Sequence, residues 1–214
     1  MIMSNIVSVF MQFCLKFYDK FIKSPLQKKL LGKCGKHVVF RYNKWSNNFT
    51  NIYLDDYTQL VDFTFISNGG RLFIKKYSGA PQGFTVVTNI HRRIVGMNIR
   101  SVMDCEDQSE SEKDVVIEED VTIGANVTIL PGVVVGRGTS IGAGTVLRNS
   151  TPPYSIVSGN PAKIVGFNYT PEDAIEHEKS LYSEEERLPL DLLEKNYEKY
   201  FLKRLKEIKE FNRL

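Results

Sequence analysis

Cysteine is scarce in this chain of 214 residues: Cys14, Cys34 and Cys105 are odd in number and show no CxxC spacing. That excludes a disulfide framework or a cysteine zinc site, and the three read as reduced thiols of a cytosolic protein. An excess of one charge is missing too. Lys and Arg total 28 against 25 Asp and Glu, a net +3 that leaves no general nucleic-acid footprint. Long apolar runs are also lacking. Residues 6–15 (IVSVFMQFCL) are followed by Lys16 and Lys20, with no basic stretch ahead and no A-x-A-like cleavage site. The run falls far short of the ~20 residues a membrane span needs. The expectation is a cytoplasmic chain with neither a cleaved leader nor a transmembrane anchor.

What is present is ordinary globular composition, 42% hydrophobic and 25% charged, enough for one well-cored domain with terminal appendages. Ile6, Phe10, Phe13, Phe17 and Phe21 recur at three- and four-residue steps. This spacing predicts an amphipathic helix that ends near Lys23, ahead of Pro25. Its apolar stripe suits a cap on an open end of the adjoining domain, the favoured reading. With the trailing lysines it also suits peripheral contact with an anionic membrane.

The decisive pattern has a period of six. From Ile117 the chain reads IEEDVT, IGANVT, ILPGVV, VGRGTS, IGAGTV and then Leu147. Ile117, Ile123, Ile129, Val135, Ile141 and Leu147 share one phase. Since Ile, Leu and Val form about a quarter of the chain, six successive hits have odds of roughly one in 4,000 per starting position. Glycine follows the aliphatic at 124, 136 and 142, and Val121, Val127, Val133, Thr139 and Thr145 sit four residues on. Each hexad reads as a short strand and a turn, three hexads making one triangular coil of a β-solenoid. The same phase recurs more weakly at Leu54, Leu60 and Ile66. After a slip at Asn68-Gly69-Gly70 it resumes at Ile74, Ala80 and Val86. Residues 51–91 and 115–150 are therefore two blocks of one solenoid, separated by an excursion at 92–114. Loops of that length are often functional.

The segment YSIVSGNPAKIVG would close the solenoid. Beyond it, an acidic helical stretch (170–187) breaks at Pro189, and a further helix carries Leu190, Leu193, Tyr197, Phe201, Leu205 and Ile208 as a stripe. The organisation is a helix and lead-in (1–50), a solenoid domain (51–166) and a helical extension (167–214). A zinc centre of three histidines on such a solenoid fails by count, because His37 and His177 fall outside that domain and only His91 lies within it.

The stretch DVVIEEDVTIGANVTILPGVVVGRGTSIGAGTVLRNSTPPYSIVSGNPAKIVG resembles the hexapeptide-repeat acyltransferases. It is similar to the group of galactoside, maltose and nodulation acetyltransferases and of capsule and O-antigen O-acetyltransferases, over about residues 37–166. The resemblance implies a left-handed parallel β-helix, a homotrimer with active sites between neighbouring solenoids, and acetyl-CoA as acyl donor without a metal. It implies His91 in VVTNIHRR as catalytic base. Asn89, two residues before it, reads either as a group that orients the acceptor or as a turn-forming Asn. Ala125 and Ala143 would line the coenzyme groove, and Lys163 in NPAKIV would lie near the phosphates. Arg148-Asn149 stands where the family commonly has Thr-Lys, which moves a positive charge by one residue onto Arg148. Thr122 stands where many members carry a Trp that helps wall the acceptor pocket. The implied activity is O-acetylation of a saccharide or glycan precursor, a polysaccharide modification. Transfer to an amine, to serine or to a small xenobiotic, or a trimeric solenoid without catalysis, are the alternatives.

Overall fold

The computed structural model describes residues 2–41, 46–91, 93–104 and 112–206. Cys105, Ile208 and most of the acidic end of the excursion lie outside the described residues.

Among the described residues, sixteen short strands, numbered in chain order, form three sheets. The first sheet is β1 (Lys33–Cys34), β3 (Ile52–Leu54), β6 (Leu72–Ile74), β9 (Val115–Ile117) and β12 (Val134–Val135). The second runs β2 (Val39–Phe40), β4 (Gln59–Leu60), β7 (Gly79–Ala80), β10 (Thr122–Ile123), β13 (Ser140–Ile141), β15 (Ser155–Ser158) and β16 (Lys163–Phe167). The third is β5 (Phe63–Ile66), β8 (Phe84–Val87), β11 (Thr128–Ile129) and β14 (Val146–Leu147). All pairings are parallel except β15 with β16, a closing hairpin. The result is a left-handed parallel β-helix of about six turns.

The hexad phase is the reason for this shape. Ile117, Ile123, Ile129, Val135, Ile141 and Leu147 all point inward, each at most 3% exposed. Ile123 stands in register with Ile141, and Ile129 with Leu147, so like stacks on like through the coils. Burying each such side chain is worth about 1.5–3 kcal/mol. Val121, Val127, Val133, Thr139 and Thr145 fill the corners, also buried.

At one corner, successive coils place His37, Tyr57, Tyr77 and Asp120 at positive φ. A left-handed conformation costs a non-glycine residue on the order of 1–2 kcal/mol. Here stacking offsets part of that cost: His37 and Tyr57 rings lie 4.7 Å apart, and Tyr57 and Tyr77 rings 5.4 Å.

Four features depart from the sequence expectation. The parallel ladders begin at Lys33, paired with Tyr53, so the lead-in before residue 51 already contributes strands. Val38 and Phe40 are buried there without a six-residue phase to announce them. Ile66 points outward, 44% exposed, and Phe63 and Phe65 fill the core instead. The turn at Asp62, at positive φ, resets the phase before the Asn68-Gly69-Gly70 insertion does.

The N-terminal helix, third, does not stop near Lys23: α1 (Ile2–Tyr18) continues through a π-helical turn (Asp19–Lys23) into α2 (Ser24–Lys28). Ser24 donates to the Asp19 carbonyl, five residues back. That widened turn makes room for the Pro25 ring, which would clash with the carbonyl four residues back in a regular α-helix. Finally, the helix leaves its stripe uncovered within the chain. Phe10, Phe13, Phe17 and Phe21 are 66, 65, 52 and 55% exposed, so they do not cap the solenoid.

The C-terminal extension keeps the expected order. It comprises α4 (Pro171–Leu181), a 3-10 turn (Glu184–Glu186) and α5 (Leu190–Tyr197), which runs into a π-helical turn (Glu198–Leu202). It docks through Tyr154, Ala174 and Leu193, and through Phe167 against Tyr197 and Phe201.

Candidate functional site

Three groups of predicted residues can be located on this frame. Asn89 comes after β8 and forms an antiparallel bridge with Glu112, while the Lys113 amide donates to the Thr88 carbonyl at 2.8 Å. The excursion therefore leaves and returns through one neck. Gly70 makes that neck possible, because a Cβ there would lie 2.7 Å from Thr88 Cβ and 3.0 Å from the Lys113 carbonyl oxygen. His91 stands two residues beyond the neck, exposed to solvent. Within the excursion, α3 (Ile99–Met103) is capped by Asn98, whose side chain accepts from the Ser101 amide at 2.9 Å, and it buries Val102.

The third sheet connects this neck to the second group. In its register Ile66, Val87, Leu130 and Arg148 form one outward column, with Arg148 just past the end of β14. Val87 lies two strand spacings from Arg148 along the solenoid, about 10 Å, and the chain reaches His91 four residues beyond Val87. Arg148 and Lys163 come together on a cavity of about 490 Å³. Asn149, Ser150 and Ala162 also line it, and so does Tyr200. The cavity thus gathers two cations, hydrogen-bonding groups and one aromatic ring, a lining suited to an anionic ligand with a flat ring system.

Tyr200 was missed by the sequence reading because it lies off the apolar stripe of its helix. It is delivered by tertiary contacts: Phe167 packs on Tyr197 and Phe201, and Arg204 donates to the Ile164 carbonyl at 2.6 Å. The π-helical turn that carries it was the available signal in the fold, since such turns gather at functional sites.

Ala125 and Ala143 form the third group, at the corner between the second and third sheets in adjacent coils. They do not line the cavity shared by Arg148 and Lys163. Ala143 is exposed and the Ala125 carbonyl accepts from Gly144 at 2.9 Å. The corner is tight, since a Cβ on Gly124 would come within 2.5 Å of the Ala143 amide nitrogen.

Thr122 borders a separate depression of about 390 Å³ with Tyr57, Gln59, Tyr77, Ser78 and Pro81. Among the described residues no cluster of three or more His, Cys, Asp or Glu could hold a metal ion.

A buried ionic lock fixes the extension that carries Tyr200. Glu178 is fully buried and accepts from Arg137 at 2.8 Å, from the Tyr154 hydroxyl at 2.5 Å and from the Leu188 amide at 3.1 Å. Arg137 also reaches Glu119 at 3.2 Å. Burial, and then its hydrogen bond to Glu178, push the Tyr154 hydroxyl far above its ordinary pKa. Burial pushes Tyr182 up to about 12.

Residues 114–149 match the bacterial transferase hexapeptide (six repeats) family model. No curated relative matches the sequence. Among solved structures, the chain is similar to a hexapeptide-repeat acetyltransferase of Vibrio cholerae O1 biovar eltor complexed with acetyl coenzyme A. Identity is 24%, the match covers 68% of this chain and 75% of that one, and the TM-score is 0.56. A maltose O-acetyltransferase of Clostridium difficile 630 shares 22% identity over 67% and 73% of the two chains, with a TM-score of 0.53. The N-acyltransferase AntD of Bacillus cereus, in complex with dTDP and 3-hydroxybutyryl-CoA, shares 19% over 74% and 96%, with a TM-score of 0.52. The family model thus matches the six-hexad stretch of this chain, and the likeness to the solved acetyltransferases is one of fold.

Proposed function

We propose that this chain is an acetyl-CoA-dependent O-acetyltransferase acting on a hydroxyl of a saccharide or glycan precursor in the cytoplasm, and that it works as a homotrimer. The observation that carries the reading is the cavity where Arg148 and Lys163 meet Tyr200, at the β14 end of the sheet whose strand β8 leads to His91. The two cations suit the coenzyme's phosphates, and Tyr200 offers an aromatic surface to its base. Acetyl-CoA supplies the acyl group as an activated thioester.

A sugar hydroxyl is almost wholly un-ionised near neutral pH, so its attack needs a base as the C–O bond forms. His91 takes that proton on one ring nitrogen, and the imidazolium then protonates the departing thiolate. Asn89 holds the acceptor, and backbone amides of the Ala125 and Ala143 corner lie along the donor's arm. No side chain becomes acylated, so no Ser or Cys nucleophile is required.

The saccharide reading draws on the depression at Thr122. Exposed Tyr57 and Tyr77 with Gln59 and Ser78 give an aromatic surface bordered by hydrogen-bonding groups. That depression and His91 belong to different faces of one chain, and His91 is open to water. A neighbouring subunit that covers His91 and brings the two faces together resolves both points, hence the trimer.

Calorimetric titration with CoA tests the donor site: no binding would return the chain to a solenoid scaffold. An acceptor screen that monitors thiol release tests the rest. Turnover with saccharides supports the assignment, and turnover with amines alone moves the chemistry to N-acylation.

A further inference from the structure

The largest surface left unexplained by this reading is the N-terminal helix. Val9, Phe10, Met11, Phe13, Leu15, Phe17, Tyr18, Phe21 and Ile22 are all at least 43% exposed. Contiguous apolar surface of that extent on a soluble domain marks an interaction site. Phe17 and Phe21 rings lie 4.5 Å apart, so the stripe keeps one face through the start of the π-helical turn.

Its chemistry is specific. Lys16, Lys20 and Lys23 recur at four- and three-residue steps, three residues behind Phe13 and Phe17 in two cases, and so form a column alongside the phenylalanines. Lys20 lies 5.1 Å from the Phe21 ring centroid and Lys23 5.3 Å from that of Tyr18. The helix's acidic residue in this stretch, Asp19, already pairs with Lys23 at 3.5 Å. No helix of the described residues is long and apolar enough to cross a membrane.

We propose that this helix lies in the interface of an anionic lipid bilayer, with its aromatic and aliphatic face in the acyl boundary and its lysines at the headgroups. A wide apolar arc edged by lysine is what interfacial helices present, and lysine stems reach up from the apolar boundary to charged phosphates. A second copy of the helix fits less well, because it would set basic column against basic column with no acid to answer it. The charge pattern selects a negative surface instead. The fold agrees with this placement. The helix leads into the β1–β2 end of the solenoid, whereas Arg148 and Lys163 sit at the β14–β16 end. Six strand spacings along the second sheet separate the two ends, about 28 Å. The donor cavity therefore stays in water while the other end rests on the bilayer.

The test is flotation of the full chain with vesicles of phosphatidylcholine alone and of phosphatidylcholine mixed with phosphatidylglycerol. Binding is expected to the mixed vesicles only, and to weaken with salt. Phe10→Ser/Phe13→Ser/Phe17→Ser should abolish it while CoA affinity and thermal unfolding stay unchanged. Lys16→Ala/Lys20→Ala/Lys23→Ala should lower partitioning on the order of 100-fold, about fivefold per lysine. Failure of the wild-type chain to float with anionic vesicles overturns the proposal. So does a triple-Phe variant that changes oligomeric mass or fails to fold, since that puts the stripe inside a protein interface. CoA binding is read separately, so either outcome leaves the transferase reading to its own test.

Discussion

Removing the Glu178 carboxylate should release the helical extension and, with it, the Tyr200 wall of the cavity proposed to hold the donor. In Glu178→Ala the Tyr154 hydroxyl and the Leu188 amide lose their acceptor, and Arg137 loses its shorter carboxylate contact. Breaking a buried ion pair from one side costs about 3–5 kcal/mol, because the remaining charge stays desolvated. Arg137 keeps Glu119 at 3.2 Å and the Glu186 carbonyl at 2.9 Å, which places the cost at the low end, about 3 kcal/mol. For a chain of this size that is a drop in Tm of about 6–12 °C. Calorimetry or tyrosine fluorescence on heating reads the first effect, and CoA titration reads the second. Affinity should fall as it does in Tyr200→Ala, because Tyr200 is held in place by the same extension. The double variant Arg137→Met/Glu178→Leu, which replaces the buried pair with apolar side chains of similar volume, should recover most of the stability. A Glu178→Ala protein within about 1 kcal/mol of wild type would refute the idea that this lock fastens the extension. Normal CoA affinity in an unlocked variant would remove Tyr200 from the donor site.

Three further outcomes are expected from the site. His91→Ala should leave fold and CoA affinity intact and lower kcat by roughly 10²–10⁴, and His91→Asn should be nearly as poor, since an amide cannot take the proton; near-normal turnover would sink the assignment. Arg148→Ala and Lys163→Ala should raise the donor KM with kcat at saturation little changed, because the phosphates they hold do not react. Steady-state kinetics in acetyl-CoA shows the opposite split if the phosphates lie elsewhere. The extension should loosen in alkali. Tyr154 and Tyr182 have folded pKa values above the ordinary 10.0, so their protonated forms favour the folded state. That contribution is whole below pH 10 and is lost as pH rises from there toward about 12 and beyond, seen as Tm against pH. Tyr154→Phe should weaken that dependence.

The solenoid was legible because its physics is local and repeated: one inward aliphatic per hexad and one slender corner residue are enough to mark a coil. Legibility failed wherever a turn changed length. Asp62 turns the chain early, so Phe65 takes the inward place that the period assigned to Ile66. The strands at Lys33 and Val39 escaped notice because only Val38 and Phe40 point inward there, too few to show a period. The helix end was misjudged because Pro25 reads as a stop unless the preceding turn widens, and nothing in the spelling of 19–23 announces that. His91, Arg148 and Lys163 were named through resemblance. Tyr200 was not, because its place depends on Phe167 and Ile164, more than 30 residues upstream.

The strap formed by α4 bears on how this molecule comes apart. Residues 120, 138 and 154 occupy one corner in three successive coils, and α4 fastens close to each: His177 lies 3.7 Å from Asp120, Glu178 binds Arg137, and the Tyr154 hydroxyl meets Glu178. In a stacked array, each coil ordinarily feels only its neighbours, and melting can creep from either end one rung at a time. A brace across three rungs removes that freedom on one side of the excursion. Amide protons of the coils from β9 to β15 should therefore exchange as one block, while those ahead of the neck at Asn89 exchange in a graded series. The rungs that hold the cavity of Arg148 and Lys163 sit inside the block, so local breathing of the lower coils need not disturb them.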